Sequence, residues 1–229
     1  MESSYTATWE ISRSLSDGII GCWDAGGKRS YPGTGTTWYD VVGGNDADLD
    51  NFDSGFFDPN YGGSLAYDGT DSLATNSSIE KAASCSFCCW ASTPTIGQGG
   101  MAAQPMLFNA GNDGSGPDLF FAYGKFVWNT WDGGGNPFGD RPSNVEDGNF
   151  HYYVLTNESS SNAKLYYDGA YHSSATYKNA SAHDVIMIGG TTSGYKWNGN
   201  IANFAIYNKI LTPAEIKELY YMQKSRFED

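Results

Sequence analysis

Basic side chains are scarce in this chain: 13 Lys and Arg stand against 26 Asp and Glu, a formal net charge of −13 at pH 7. So anionic a surface repels a phosphate backbone and anionic lipid headgroups alike, which excludes nucleic acid as a partner. No run approaches the ~18 apolar residues of a spanning helix, so membrane insertion is excluded too. The opening MESSYTATWEISRS lacks a basic region followed by an apolar stretch. No signal peptide is therefore expected, and the chain is expected to be made and kept in a cytoplasm.

Residues that carry chemistry are also few. The histidines are His151, His172 and His183, and no two have metal-ligand spacing. The nucleophile pattern G-x-S-x-G is absent. Four cysteines occur, Cys22 alone and Cys85, Cys88 and Cys89 together in SCSFCCWAS. Read as a strand, that segment puts Cys85, Phe87 and Cys89 on one face and Cys88 with Trp90 on the other. Ligands on opposite faces do not converge on zinc, so buried thiols are favoured over a metal site or a disulfide. The sequons at Asn76, Asn157 and Asn179 matter only in a secretory pathway, and nothing in the sequence routes the chain there.

What the chain has in abundance is glycine, 29 residues without a fixed period, which points to many tight turns. Short apolar runs alternate with turn signals. FFAYGKFVW reads as a hairpin bending at Tyr123-Gly124-Lys125, and SLAYDG as a strand ending in an Asp68-Gly69 turn. The clearest stretch gives strands at 150–156, 163–167 and 170–177, the last two joined by Asp168-Gly169. Asp-Gly between alternating apolar residues is a strong hairpin signal, because both turn positions must tolerate positive φ. VIMIGG (185–190) and NIANFAIYN (200–208) follow as core strands.

One helix is expected, over 212–224. Thr212 is its N-cap, Pro213 fills the first helical position, Glu215 completes a capping box, and Leu211 with Ile216 forms a hydrophobic staple. Ile216, Leu219 and Tyr220 make its apolar stripe, read as a lid over one end of the sheets. The pattern predicts an all-β fold of two antiparallel sheets packed face to face, with this one short C-terminal helix. Residues 18–229 form the sandwich. Residues 1–17 are an arm that either packs against something else or is disordered.

Several stretches resemble one family. GIIGCWDAGGKRSYPGTGTTWYDVVGGNDADL with GGSLAYDGTDSL, then FHYYVLTNESSSNAKLYYDGAYHSS, then IGGTTSGYKWNGNIANFAIYNKILTPAEIKELY, together resemble a laminin-G-like module of the concanavalin A-like lectin/glucanase superfamily. The resemblance covers about residues 18–221 and implies a concanavalin A-like jelly roll. The opening, Asp-Ala-Gly…Tyr-Pro-Gly-x-Gly-x-x-Trp-x-Asp, resembles modules in virion proteins of tailed bacteriophages. That implies a virion location and other virion proteins, of capsid or tail, as partners, with homo-oligomers left open.

Glucanases of the superfamily resemble one another in a Glu-x-Asp-x-x-Glu strand whose carboxylates act as nucleophile and acid/base. None of the eight glutamates here stands in that pattern, so no enzyme activity is expected. Relatives that hold calcium direct attention to the acidic segments. NDADLDN spaces Asp46, Asp48 and Asp50 two apart, but Asn51 and Phe57 stand where an EF-hand loop needs Gly and Glu. A half-buried strand with an acidic outer face fits better. GNDGSGPD, with Asp113 and Asp118, is the better calcium candidate; otherwise no cofactor is expected.

Sugar binding needs an aromatic face beside Asp or Asn. WNTWDGGGNPFGDRP (128–142) offers Trp131, Asp132, Asn136, Phe138 and Asp140 on a glycine-rich loop, and contact with another protein through this loop competes with a saccharide there. Residues 24–40, DAGGKRSYPGTGTTWYD, are read as a connector, with Tyr31 and Trp38 packing on the rim. Lys28 and Arg29 form a small basic island suited to a neighbour. A non-enzymatic virion structural or decoration protein with glycan adhesion is the leading expectation. A stand-alone carbohydrate-binding lectin is the alternative, and a glycoside hydrolase comes last.

Overall fold

The computed structural model describes residues 13–76, 79–80, 84–94, 105–111, 117–122, 124–128, 136–158, 162–176 and 185–228. Among these are sixteen strands and two α-helices. The chain opens with α1 (Arg13–Ser16), β1 (Ile19–Asp24), β2 (Thr37–Trp38), β3 (Ala47–Asp50), β4 (Phe57–Asp58) and β5 (Ser64–Asp68). Next come β6 (Leu73–Asn76), β7 (Cys85–Ser92), β8 (Met106–Asn109), β9 (Asp118–Ala122), β10 (Lys125–Trp128) and β11 (Asn136–Asp140). It closes with β12 (His151–Glu158), β13 (Asn162–Tyr167), β14 (Ala170–Thr176), β15 (Ile186–Ile188), β16 (Asn198–Tyr207) and α2 (Pro213–Lys224).

Two eight-stranded antiparallel sheets result. The first runs β14-β13-β12-β7-β16-β5-β4, with β1 also paired to β16; the second runs β11-β10-β9-β8-β15-β6-β3-β2. The expected two-sheet antiparallel sandwich is the observed fold. The Asp168-Gly169 hairpin is present, both residues at positive φ (49° and 74°) as a tight turn of that kind requires. A side chain at Gly169 would also collide with the Tyr220 ring of α2.

The facing layers meet in an aromatic core. Phe87 of β7 stacks on Phe108 of β8 at 4.9 Å between ring centroids, and Phe121 of β9 meets the Tyr153 ring edge-on at 6.0 Å. Cys85, Phe87 and Cys89 all face this core, whereas Cys88 and Trp90 face the opposite side of the same sheet; all four cysteines are buried and none is in a disulfide. Tyr31 and Trp38 are wholly buried in the same core, deeper than the rim position expected from sequence. Tyr31 packs there against Phe56 and Phe57.

Helix α2 differs from expectation in place, not in kind. Its capping box is complete: Glu215 N donates to Thr212 Oγ1 and Thr212 N to Glu215 Oε2. It lies on the outer face of the first sheet, not over an end. Leu211, Ile216 and Leu219 pack there on Cys88, Trp90, Tyr152 and Val154. That face is apolar because β7 is buried on both sides, so it needs a cover. Leu15 of α1 is buried in the same cluster, so the last part of the predicted arm belongs to the domain.

Candidate functional site

Strands β10 and β11 form the hairpin that carries the predicted sugar loop, Trp128 opposite Asn136 and Lys125 opposite Asp140. Trp131 and Asp132 lie outside the described residues. Asn136 has its backbone in β11. Phe138 is a correction: it is 2% exposed, inside the inter-sheet core, and cannot offer its ring to a sugar. A register shift between Phe126 and Val127 in the facing strand lets both Phe126 and Phe138 turn inward. Asp140 is exposed and paired to Lys125 Nζ at 2.7 Å. The hydrogen bond and charge of that ammonium hold its carboxyl below the usual carboxylate range. Next to it the sandwich closes at one edge, where His172 Nε2 of β14 donates to the Asp140 carbonyl at 3.0 Å.

Of the calcium candidates, Asp113 lies outside the described residues, while Asp118 is fully buried at the start of β9, in register with Asn109. No group of three metal-ligating side chains occurs among the described residues. Asp48 and Asp50 are exposed while Ala47 and Leu49 are buried, so that segment is the half-buried strand expected.

Both aspartates that bracket residues 24–40 hold the scaffold. Asp40 is 7% exposed. Its Oδ1 accepts from Cys22 N and Val42 N, and its Oδ2 from Gly43 N, Asn45 N and Asn45 Nδ2. Asp24 accepts from Gly26 N and from Arg226 Nη1. Both carboxylates brace the segment that links β1 to β3.

One cluster went unnoticed in the sequence. His151 opens β12 with its ring stacked on Tyr167 at 4.9 Å. Its Nδ1 lies 2.8 Å from Asp168 Oδ2, and its Nε2 lies 3.1 Å from the Asn144 carbonyl and 3.3 Å from Asp147 Oδ1. Every partner is an acceptor, so filling these contacts requires N–H on both nitrogens, the imidazolium form. Burial alone lowers the pKa of this ring, but the hydrogen bonds and charges of Asp168 and then Asp147 outweigh it and raise the value. An imidazole that only donates cannot serve as a general base; it clasps the 144–147 turn to the β13–β14 hairpin. The signal was available in the register. Tyr153 pairs with Tyr167, which sets Asp168 opposite Tyr152 and next to His151.

A family model for the concanavalin A-like lectin/glucanases superfamily matches residues 67–217. The chain belongs to the concanavalin A-like lectin/glucanase superfamily. The match begins at β5 and ends within α2, so the opening stretch that shares the resemblance lies outside it.

Superfamily architecture is also what solved structures share with this chain. The botulinum neurotoxin serotype D binding domain is similar with a TM-score of 0.67 and 16% identity, over 92% of this chain and 53% of that one. The botulinum neurotoxin type G receptor binding domain gives 0.64 and 16%, over 90% and 52%. Trypanosoma rangeli sialidase gives 0.64 and 19%, over 93% and 34%. This chain thus spans about half of the neurotoxin chains and a third of the sialidase, and at these identities the likeness is one of fold. A comparison with curated proteins finds no match.

Proposed function

We propose that this superfamily member is a binding protein without enzymatic activity, a structural or decoration component of a tailed-phage virion that contacts other virion subunits and adheres weakly to surface glycans. The observation that carries the binding reading is the employment of its acids. Asp24, Asp40, Asp68 and Glu215 each accept backbone N–H groups that hold a loop or a helix end, and Asp168 accepts Tyr152 N. Carboxylates committed in this way are scaffold, and the two facing layers between them are packed with aromatic rings. The virion assignment is supported by the resemblance of the opening Asp24-to-Asp40 variant to tailed-phage modules. Weak single contacts would gain strength from many copies on a particle.

A stand-alone carbohydrate-binding module is the second reading. Its support is the fold shared with proteins whose names describe binding domains. Mass spectrometry of purified particles tests the first reading: the polypeptide should be present in stoichiometric amount, and particles without it overturn that reading. A glycan array compares wild type with Trp131→Ala. Hits lost in the variant support a sugar site in the 128–142 loop, whereas no hits with either protein remove glycan adhesion. Release of reducing sugar from β-glucans would overturn the absence of enzymatic activity.

A further inference from the structure

The segment between β2 and β3 holds apolar side chains in water at unusual structural effort. Tyr39, Val41 and Val42 are 43%, 37% and 48% exposed, while Asp40 between them is buried. The backbone that carries them is thoroughly tied down. Tyr39 N donates to Ser30 O, Asp40 N to Asp46 Oδ1, and Val41 N to Cys22 O. The next amides, of Val42, Gly43 and Asn45, all donate to the Asp40 carboxylate. Packing is equally close, since a Cβ at Gly43 would run into the Ile20 carbonyl and the Asn45 side chain. Apolar side chains on a loop already fixed in place lose little freedom when covered, which is what a binding hot spot requires.

Charge lies on either side of this loop in a definite order. Ser30 borders Tyr39 through two hydrogen bonds, and the residues just before it, Lys28 and Arg29, are exposed cations on a chain of net charge −13. On the other side β2 pairs with β3, Thr37 opposite Asp48, and β3 turns Asp48 and Asp50 outward. The surface therefore reads cationic, apolar, anionic from one flank to the other. A two-fold axis through the middle of such a pattern brings each cationic flank onto the other copy's anionic flank, with the apolar parts facing each other.

We infer that this face is the self-complementary interface of a homodimer, with Tyr39, Val41 and Val42 at its centre and Lys28/Arg29 against Asp48/Asp50 of a second copy at its rim. The patch is small beside the ~1,200–2,000 Å² of standard interfaces, so the dimer is weak and reversible. It is independent of any sugar site and of the virion assignment.

Sedimentation of the purified chain between about 5 µM and about 1 mM, at low and high salt, tests the inference. A concentration-dependent monomer–dimer equilibrium, weakened by salt, is expected. Val41→Asp with Val42→Asp should raise the dissociation constant by about tenfold or more. Lys28→Glu/Arg29→Glu and Asp48→Lys/Asp50→Lys should each weaken self-association, and mixing the two should restore a dimer containing one of each. All the altered side chains are exposed, so melting curves should stay close to wild type. A chain that stays monomeric throughout overturns the inference. So does a dimer that survives the valine changes, or charge variants that fail to rescue each other.

Discussion

Arg226 Nη1 lies 2.8 Å from Asp24 Oδ1, joining the end of the first strand to a residue 202 positions later. The guanidinium also donates through Nε to Tyr61 O and through Nη2 to Gly63 O, so one side chain ties three segments together. The Asp24 side chain is 3% exposed. Arg226→Ala leaves a buried carboxylate without its counter-charge and is expected to cost about 3 kcal/mol. Urea midpoints measure this, and Asp24→Asn combined with Arg226→Ala should cost less than Arg226→Ala alone. A loss below ~0.5 kcal/mol would show that the pair behaves like a surface ion pair.

Asp40 is the most heavily used acceptor in the connector. Asp40→Ala strands the amides of Cys22, Val42, Gly43 and Asn45 together, an expected loss of about 3 kcal/mol or more. Asp40→Asn keeps one carbonyl oxygen and should lose less. Hydrogen exchange provides the local readout: these four amides should become faster in Asp40→Ala before the β7 and β12 amides do.

The His151 clasp makes stability depend on pH in a definite direction. Its folded pKa is raised, so its contribution is complete below about pH 6.5, the ordinary histidine value, and fades as pH rises through the folded value. The stability difference between wild type and His151→Gln should therefore be largest near pH 5.5 and shrink toward pH 9. The groups facing the ring are Asp147, Asp168 and the Tyr167 ring. Asp147 has its own carboxyl held below the usual range, with burial opposing and Asn149 and His151 bonds prevailing. A difference that grows with pH would refute the charged clasp, and an NMR titration of the imidazole gives the same answer directly.

The four thiols are expected to be inert in the native state. Burial pushes Cys88 up to about 12, and burial likewise raises Cys22 and Cys89 well above the usual thiol value. An aromatic disulfide reagent at pH 8 should react with none of the four until denaturant is added, and then with all of them. Fast labelling of any one in native buffer would contradict the structure.

Most of the fold was legible because its signals are local. Asp168-Gly169 specifies its turn through backbone tolerance, Thr212 and Glu215 specify the start of α2, and alternation sorted Cys85 and Cys89 from Cys88 correctly. Errors arose where tertiary packing decides. Nothing in LTPAEIKELYYMQK says which sheet face it covers; that choice belongs to Trp90, Tyr152 and Val154 on two distant strands. Phe138 looked like a sugar platform because a loop aromatic and a core aromatic read alike until the β10–β11 register is known. The His151 clasp needed that kind of knowledge too, a register across one hairpin, and here the sequence did contain it.

The pairing of β1 with β16, Trp23 beside Phe204, has a consequence for synthesis. During synthesis β1 waits for β16, and its Asp24 waits longer still for Arg226. Until then β7 has no neighbour on its β16 side, and the Trp90 face has no helix over it. The early strands therefore cannot complete their pairing stepwise; the domain closes only once β16 and Arg226 have been made, and until then its apolar strand faces stay exposed to other chains.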